Sequence, residues 1–269
     1  MSTDRDRVIG SKRAEVLADL GTRCVGRYVR WHDVVSSTND IALALTEIPV
    51  PEGTVIVAEQ QSAGRGRLGR SWASPRGGLW LSVILSPGLP LDRIAVVGLA
   101  AAVAVAQAIR ETTGLLARLK WPNDVLVDGK KVVGLLAEAT GGGEWVVVGI
   151  GINANIEQEA LPDVAGYPAT SLQVLVGRPV DRMALLRALL RELDHGYAVL
   201  RSAGTRATLR RWREMAGILD RPVRVEMPDG TIHGIAHDID ETGALLVRCD
   251  DGTIKRVVAG DVRVREAGP

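Results

Sequence analysis

The chain has 269 residues, 46% of them hydrophobic and 24% charged, enough for a sizeable soluble core in one large domain or a large and a small one. Its formal net charge is +1, which excludes the broad basic surface that generic nucleic-acid coating requires. Cys24 and Cys249 fit no metal spacing, and the polar first residues contain no apolar signal-peptide core, so a reduced, cytoplasmic setting is expected.

In chain order, residues 6–20 fit one short helix and residues 39–47 a second, capped by Ser37, Thr38 or Asn39. Residues 54–59 are a β-branched run and predict a strand. Then comes Gly64-Arg65-Gly66-Arg67-Leu68-Gly69-Arg70, with three glycines and three arginines in seven residues. Glycine lets backbone bend sharply and approach a ligand, and arginine offers a fixed fork of donors to phosphate or carboxylate. Together they predict a mobile loop that closes over an anion. Residues 79–85 predict a strand, and residues 92–111 a long Ala/Val/Leu helix with Asp92 at its positive end. The apolar run at 94–109 is shorter than a membrane span and lies mid-chain, so a buried helix is expected. Strands follow at 116–121, 125–127, 131–138 and 145–153, with Asp128-Gly129 as a hairpin signal. Residues 155–170 read as a loop, and 181–200 and 205–215 as helices rich in Leu and Arg. From residue 221 onward there are only short β runs, at 223–226, 231–239, 245–248 and 253–258. Asp229-Gly230, Thr242-Gly243 and Asp251-Gly252 stand between them. That spacing predicts a small all-β barrel beyond a boundary at 217–220.

The motifs narrow the chemistry. Gly64-x-Gly66-x-x-Gly69 has the dinucleotide spacing, but that fingerprint opens a helix and needs an acid about 20 residues on. Here Ser71-Trp72-Ala73-Ser74-Pro75 follows, and residues 80–90 contain no Asp or Glu. The chain lacks phenylalanine, so the kinase Asp-Phe-Gly motif is absent, and it has no Walker loop. Lys120-Trp121-Pro122-Asn123-Asp124 reads as a strand ending in a turn. Equally, Lys120 suits a phosphate, and Asn123 or Asp124 a metal or polar ligand. Of Lys130 and Lys131, strand alternation turns one inward. Gly149 and Gly151 suggest backbone close to a ligand or a packed element. Ser36-Ser37-Thr38-Asn39 is first a helix cap, and its hydroxyls also suit an acceptor-rich ligand. The four histidines form no metal set.

The order of these motifs resembles the biotin–protein ligases (biotin–[acetyl-CoA-carboxylase] ligases). It runs Ser37-Thr38-Asn39, Glu59-x-Gln61-x-Ala63-Gly64-Arg65-Gly66-Arg67, Lys120-Trp121-Pro122-Asn123-Asp124, Lys131-x-x-Gly134 and Gly149-x-Gly151-x-Asn153, and covers roughly residues 30–269. The resemblance implies an α+β fold. A mixed sheet flanked by helices, like the class II aminoacyl-tRNA synthetases, occupies 1–218, with 1–30 an N-terminal extension, and a small SH3-like β-barrel occupies 219–269. It implies attachment of biotin to one lysine of a biotin carboxyl carrier domain of acetyl-CoA or a related acyl-CoA carboxylase. ATP and Mg2+ drive the reaction through biotinyl-5′-AMP. Ser37, Thr38, Asn39, Gln61, Gly64, Arg65, Gly66, Arg67, Lys131, Gly149 and Gly151 are implied to bind biotin. Arg65, Arg67, Arg70, Trp72, Lys120, Asn123, Lys131 and Asn153 are implied to bind ATP. Catalysis is implied for Lys131, Arg67 and Lys120, and a metal contact for Asp124. Leu68 stands where some members carry another arginine. About 30 residues precede the match, fewer than an autonomous DNA-binding module needs. A monofunctional ligase is therefore expected, without DNA or membrane partners, as a monomer or weak homodimer. A lipoate or octanoyl ligase shares the acyl-adenylate logic but not this pairing of motifs, and a biotin-responsive regulator needs the missing N-terminal module.

Overall fold

A computed structural model of the protein describes residues 10–264 except 13, 17, 19, 163–167 and 228–229. Its large sheet contains β1 (Val29–Val35), β2 (Val55–Gln61), β3 (Leu79–Leu85), β4 (Ala117–Lys120), β5 (Asp124–Val127), β6 (Lys130–Thr140) and β7 (Trp145–Ile152). The spatial order is β1-β2-β3-β7-β6-β5-β4. The β1–β2 pair is parallel and every other pair antiparallel. Besides the helical residues 10–12 and 14–16, the α-helices among the described residues are α1 (Thr38–Leu45), α2 (Ala95–Thr113), α3 (Leu172–Val176), α4 (Arg182–Ala203) and α5 (Thr205–Met215).

Strand alternation divides the sheet into two chemically different faces. Val55, Val57, Leu79, Leu81, Val83, Val125, Val127, Val133, Leu135, Val146, Val148 and Ile150 join the main core with α2 and α4. Each such side chain, fully buried, contributes about 1.5–3 kcal/mol relative to exposure. The residues between them point the other way. There Ala42 and Leu45 of α1 cover Ile56, Ile84 and Val147, and the remainder of that face stays uncovered by helix. The segment Leu91–Thr113 is long and apolar enough to cross a membrane, but 72% of its most apolar window is buried inside the fold. It is the central core helix.

The C-terminal strands are β8 (Pro222–Met227), β9 (Gly230–Ile239), β10 (Leu245–Arg248), β11 (Ile254–Val257) and β12 (Asp261–Val264). They form an antiparallel sheet in the order β11-β10-β9-β8-β12, an open ladder among the described residues rather than a hydrogen-bonded closed barrel. It docks on both α5 and the β4–β5 turn of the large sheet. Arg213 of α5 donates to Asp238 Oδ1 (2.5 Å) and the Ile239 carbonyl (2.6 Å), and the Trp121 indole N–H donates to the Gly243 carbonyl (2.9 Å).

Several expectations shift. Residues 10–12 and 14–16 are helical, and the start of the predicted 6–20 helix lies outside the described residues, as do Asp229 of one predicted turn and part of the 155–170 loop. β1, α3 and β12 are additions. β1 carries His32 and Asp33 in its middle, and α3 and β12 span five and four residues, too little for a periodic signal. Cys24 and Cys249 are unpaired. Burial pushes the Cys24 thiol up to about 11, with Glu52 and Asp194 adding to it.

Candidate active site

The uncovered face of the large sheet owes its shape to glycine. Gly134 of β6 and Gly151 of β7 are register partners, with Asp124 of β5 beside Gly134 and Trp80 of β3 beside Gly151. One row along, Leu136, Gly149 and Ser82 are paired in the same way. Without side chains, the glycines form a trench in which other groups lie directly on backbone. The Trp72 indole lies across the first row, and a Cβ would stand 2.8 Å from its ring at Gly134 and 2.5 Å from its Nε1 at Gly151. At Gly149 a Cβ would collide with the amide of Asn39. The resulting cavity measures about 460 Å³, within the usual range for a small-molecule site.

One end of the cavity is polar and neutral. The N-terminus of α1 is not capped by Ser37, Thr38 or Asn39. Ser37 occupies the cap position, but its side chain makes no capping bond. Gln61, at the end of β2, takes that part, with its Oε1 accepting from the Thr38 backbone N–H (2.7 Å) and hydroxyl (3.0 Å). Gln61 Nε2 donates to Ser74 Oγ (2.8 Å). Ser82 Oγ stands 2.8 Å from Thr38 Oγ1 and 2.6 Å from Asn39 Oδ1. Asn39 Nδ2 donates to Glu138 Oε2 (2.7 Å). Ser37, Thr38 and Asn39 are all buried, so this wall of donors and acceptors is fixed before any ligand arrives.

The other end is cationic. Lys120 and Asp124 face each other across the β4–β5 turn, and Lys120 Nζ lies 2.8 Å from Asp124 Oδ2. Lys131 Nζ reaches Asp124 Oδ1 at 2.6 Å and stands 5.0 Å from the centre of the Trp72 ring. Burial alone pushes the Asp124 carboxyl up. The charges and hydrogen bonds of the two lysines outweigh it and hold the group below the usual carboxylate range. The site therefore carries two ammonium groups organised by one buried carboxylate. Lys131 faces inward while Lys130 is exposed, which resolves the alternation at that pair. Asn123 donates to the Leu135 carbonyl (2.8 Å) and Asn153 to the Thr170 carbonyl (3.1 Å).

The Gly/Arg loop is a short antiparallel hairpin over this end, with bridges Gln61–Ser74 and Arg65–Ser71 and a Trp72 N–H to Gly64 carbonyl bond of 2.8 Å. Leu68 and Gly69 form its tip in the left-handed region. Its three arginines have separate partners. Arg65 pairs with Asp40 (2.8 Å) and Glu138 (2.6 Å). Arg67 reaches the Gly260 carbonyl at 3.3 Å and Asn123 Oδ1 at 3.5 Å, and its burial lowers its pKa. Arg70 pairs with Asp261 of β12.

Of the residues expected from sequence, Ser37, Asn39, Gln61, Arg65, Gly66, Arg67, Arg70, Trp72, Lys120, Asn123, Asp124, Lys131, Gly149, Gly151 and Asn153 all line this one cavity. Thr38 and Gly64 stand just behind its wall. Asp124, expected as a metal contact, has a lysine against each of its oxygens. Among the described residues no group of three His, Cys, Asp or Glu side chains could hold a metal ion. Sequence reasoning missed Glu138, Asp40 and Ser82. Period-two spacing from Gly134 puts Glu138 on the trench face, but its partners come from α1 and the hairpin, and pairings that distant leave no local pattern.

Residues 31–155 match the model of the biotin/lipoate A/B protein ligase family, and residues 218–265 that of the biotin protein ligase C terminal domain. The chain is 37% identical over 255 residues to the bifunctional ligase/repressor BirA of Bacillus subtilis, covering 93% of this chain and 78% of that protein. It is 35% identical over 277 residues to the biotin–[acetyl-CoA-carboxylase] ligase of Mycobacterium tuberculosis, covering 97% and 98%. Among solved structures, the biotin protein ligase from Aquifex aeolicus in complex with biotin and ATP superposes with a TM-score of 0.77 at 31% identity, covering 90% of this chain and 100% of that one.

Proposed function

This chain belongs to the biotin protein ligase family and is a ligase, and we propose that it joins biotin to a lysine of a carrier protein in two steps. One observation supports this above the rest: a buried neutral wall and a doubly cationic wall face each other across a single glycine-floored cavity. A urea ring needs donors and acceptors, and Ser37, Thr38, Asn39 and Gln61 offer both. A carboxylate and a triphosphate repel each other, and Lys120, Lys131 and Arg67 stand where they would neutralise both.

In the first step a biotin carboxylate oxygen attacks the α-phosphorus of ATP. The bond to pyrophosphate breaks, and a mixed carboxylic–phosphoric anhydride, biotinyl-5′-AMP, forms. Lys131 bridges carboxylate and α-phosphate, Lys120 and Arg70 face the phosphates, and Trp72, Asn123 and Asn153 hold the nucleotide. In the second step an unprotonated acceptor lysine attacks the anhydride carbonyl and AMP leaves with the bond electrons. Mg2+ would enter with ATP and would help neutralise the phosphates, because among the described residues no group of three His, Cys, Asp or Glu side chains could hold it.

The acceptor is a biotin carboxyl carrier domain of acetyl-CoA carboxylase or a related enzyme. The protein works in the cytoplasm as a monomer or weak homodimer, and its low net charge argues for protein rather than DNA as its partner. We place the domain boundary at 218/219 and read the five-stranded C-terminal sheet as SH3-like. Purified protein with MgATP, labelled biotin and an apo carrier domain should transfer label to the carrier lysine. Label transferred only when lipoate replaces biotin would overturn the assignment.

A further inference from the structure

Glu138 is not part of the cavity lining, yet it touches both halves of the machinery. Its Oε2 accepts from Asn39 Nδ2 at 2.7 Å, on the neutral wall. Both of its oxygens also accept from Arg65, Oε1 from Nη1 at 3.0 Å and Oε2 from Nη2 at 2.6 Å, which is the bidentate fork geometry. The third face of that guanidinium, Nε, pairs with Asp40 Oδ1 at 2.8 Å. Three separate elements thus meet at one point: α1 through Asn39 and Asp40, the hairpin through Arg65, and β6 through Glu138.

The charges make this more than a surface ion pair. Two carboxylates share one guanidinium, so removing Arg65 leaves two like charges side by side on the trench rim. That repulsion opposes opening of the hairpin whether or not ligand is present. Asn39 gives the point its second connection. Ser82 Oγ lies against its Oδ1 and Glu138 fixes its Nδ2, so the amide presented to the cavity has one orientation while Glu138 is held. Glu138 itself is held by Arg65 only when the hairpin is down.

We infer that Glu138 is the positioning residue that couples recognition at Asn39 to closure of the Gly/Arg hairpin, with Asp40 as an auxiliary latch acting on the hairpin alone. This rests on the ligase reading above. Because coupling between two sites is reciprocal, a hairpin that closes more firmly also sharpens the Asn39 pocket, and a ligand seated on Asn39 steadies the hairpin. The acyl-adenylate is then retained in part through Glu138 and Asp40, which do not line the cavity.

The test uses the full chain loaded with labelled biotin and MgATP and no acceptor. It follows pyrophosphate formation, release of biotinyl-5′-AMP on dilution, and half-saturation by biotin and by ATP. Glu138→Gln keeps the shape and removes the charge. It should release the intermediate about tenfold faster, the scale of one charge-assisted hydrogen bond, and raise half-saturation for biotin but not for ATP. Asp40→Asn should speed release and leave biotin half-saturation unchanged. Arg65→Gln combined with Glu138→Gln should release no faster than the worse single variant. Wild-type release from Glu138→Gln, equal effects of Glu138→Gln and Asp40→Asn on biotin, or additive effects in the double variant would each overturn the coupling. If Glu138→Gln melts far below wild type, Arg65→Gln against Asp40→Asn makes the same comparison. Wild-type protein that forms no pyrophosphate would instead remove the ligase reading itself.

Discussion

Asp124 decides what the two site lysines can do. Bringing two ammonium groups into one partly buried cavity without an anion is costly, because each loses water and each repels the other. One buried carboxylate with a lysine on each oxygen resolves this, and both ammonium groups line the cavity. Lys131 is also flanked by the face of Trp72, which favours the cation further. Lys131→Ala deletes one cation while Asp124 keeps its bond to Lys120. The variant should therefore melt within a few degrees of wild type, yet lose roughly 10²–10³-fold in pyrophosphate formation, the usual effect of removing one preorganised electrostatic group. Pyrophosphate release at the wild-type rate would take Lys131 out of its assigned role. At this scale the sequence was informative in one direction. Alternation required one of Lys130 and Lys131 to face inward. The choice of Lys131 depends on a register shift in the β5–β6 pairing, where Val125 opposes Val133 and Leu126 opposes Lys131, and no local pattern encodes that bulge.

The hairpin from Gly64 to Arg70 shows what an element adds to its residues. Three arginines in seven positions read as a single anion clamp, but the fold divides them. Arg65 latches to α1 and β6, Arg70 latches to β12, and Arg67, half-buried, has carbonyl and amide partners. A half-buried guanidinium whose hydrogen-bond partners are neutral is the one that gains most from an anionic ligand. Arg67→Gly should leave the outer latches in place and weaken the hold on the intermediate. Its expected signature is faster escape of biotinyl-5′-AMP and increased acylation of bystander lysines, read by mass spectrometry of a mixed-protein reaction. Bystander labelling equal to wild type would show that Arg67 is not the retaining group. The elements readable in advance were those with a strong period: α2, α4, α5 and most central strands. The capping of α1 differs from expectation in its bonding, for a physical reason. Ser37, Thr38 and Asn39 have the composition of a helix cap, but Gln61, 23 residues beyond Thr38, satisfies the helix N-terminus instead. That exchange leaves the Ser37 side chain without a capping bond, in a residue that lines the cavity.

At the scale of the whole molecule, the cavity is complete only because the C-terminal sheet closes it, with Asp261, Val262 and Arg263 among its lining. The docking of that sheet should therefore affect nucleotide binding at a distance. The joint is tight on both sides. Trp121, in the same five-residue stretch as Lys120 and Asp124, donates its indole N–H to the buried Gly243 carbonyl at 2.9 Å. Gly243 has a φ of 84°, and a Cβ there would stand 2.9 Å from the Leu99 side chain on α2. Trp121→Phe leaves the carbonyl without its donor, a loss of about 1–3 kcal/mol and a fall of several degrees in Tm. That variant also sits beside the cationic wall, so its effect on ATP half-saturation has two possible origins. Gly243→Ala strikes the same joint from the other side, far along the chain from every lysine in the site, through a strained φ and a crowded Leu99. If the sheet's seating sets the nucleotide end of the cavity, both variants should raise half-saturation for ATP together with their loss of Tm, while half-saturation for biotin, which we propose binds at the α1 end, stays near wild type. A Gly243→Ala protein that melts early but binds ATP like wild type would sever the C-terminal sheet from nucleotide binding, and leave it a structural support for the hairpin alone.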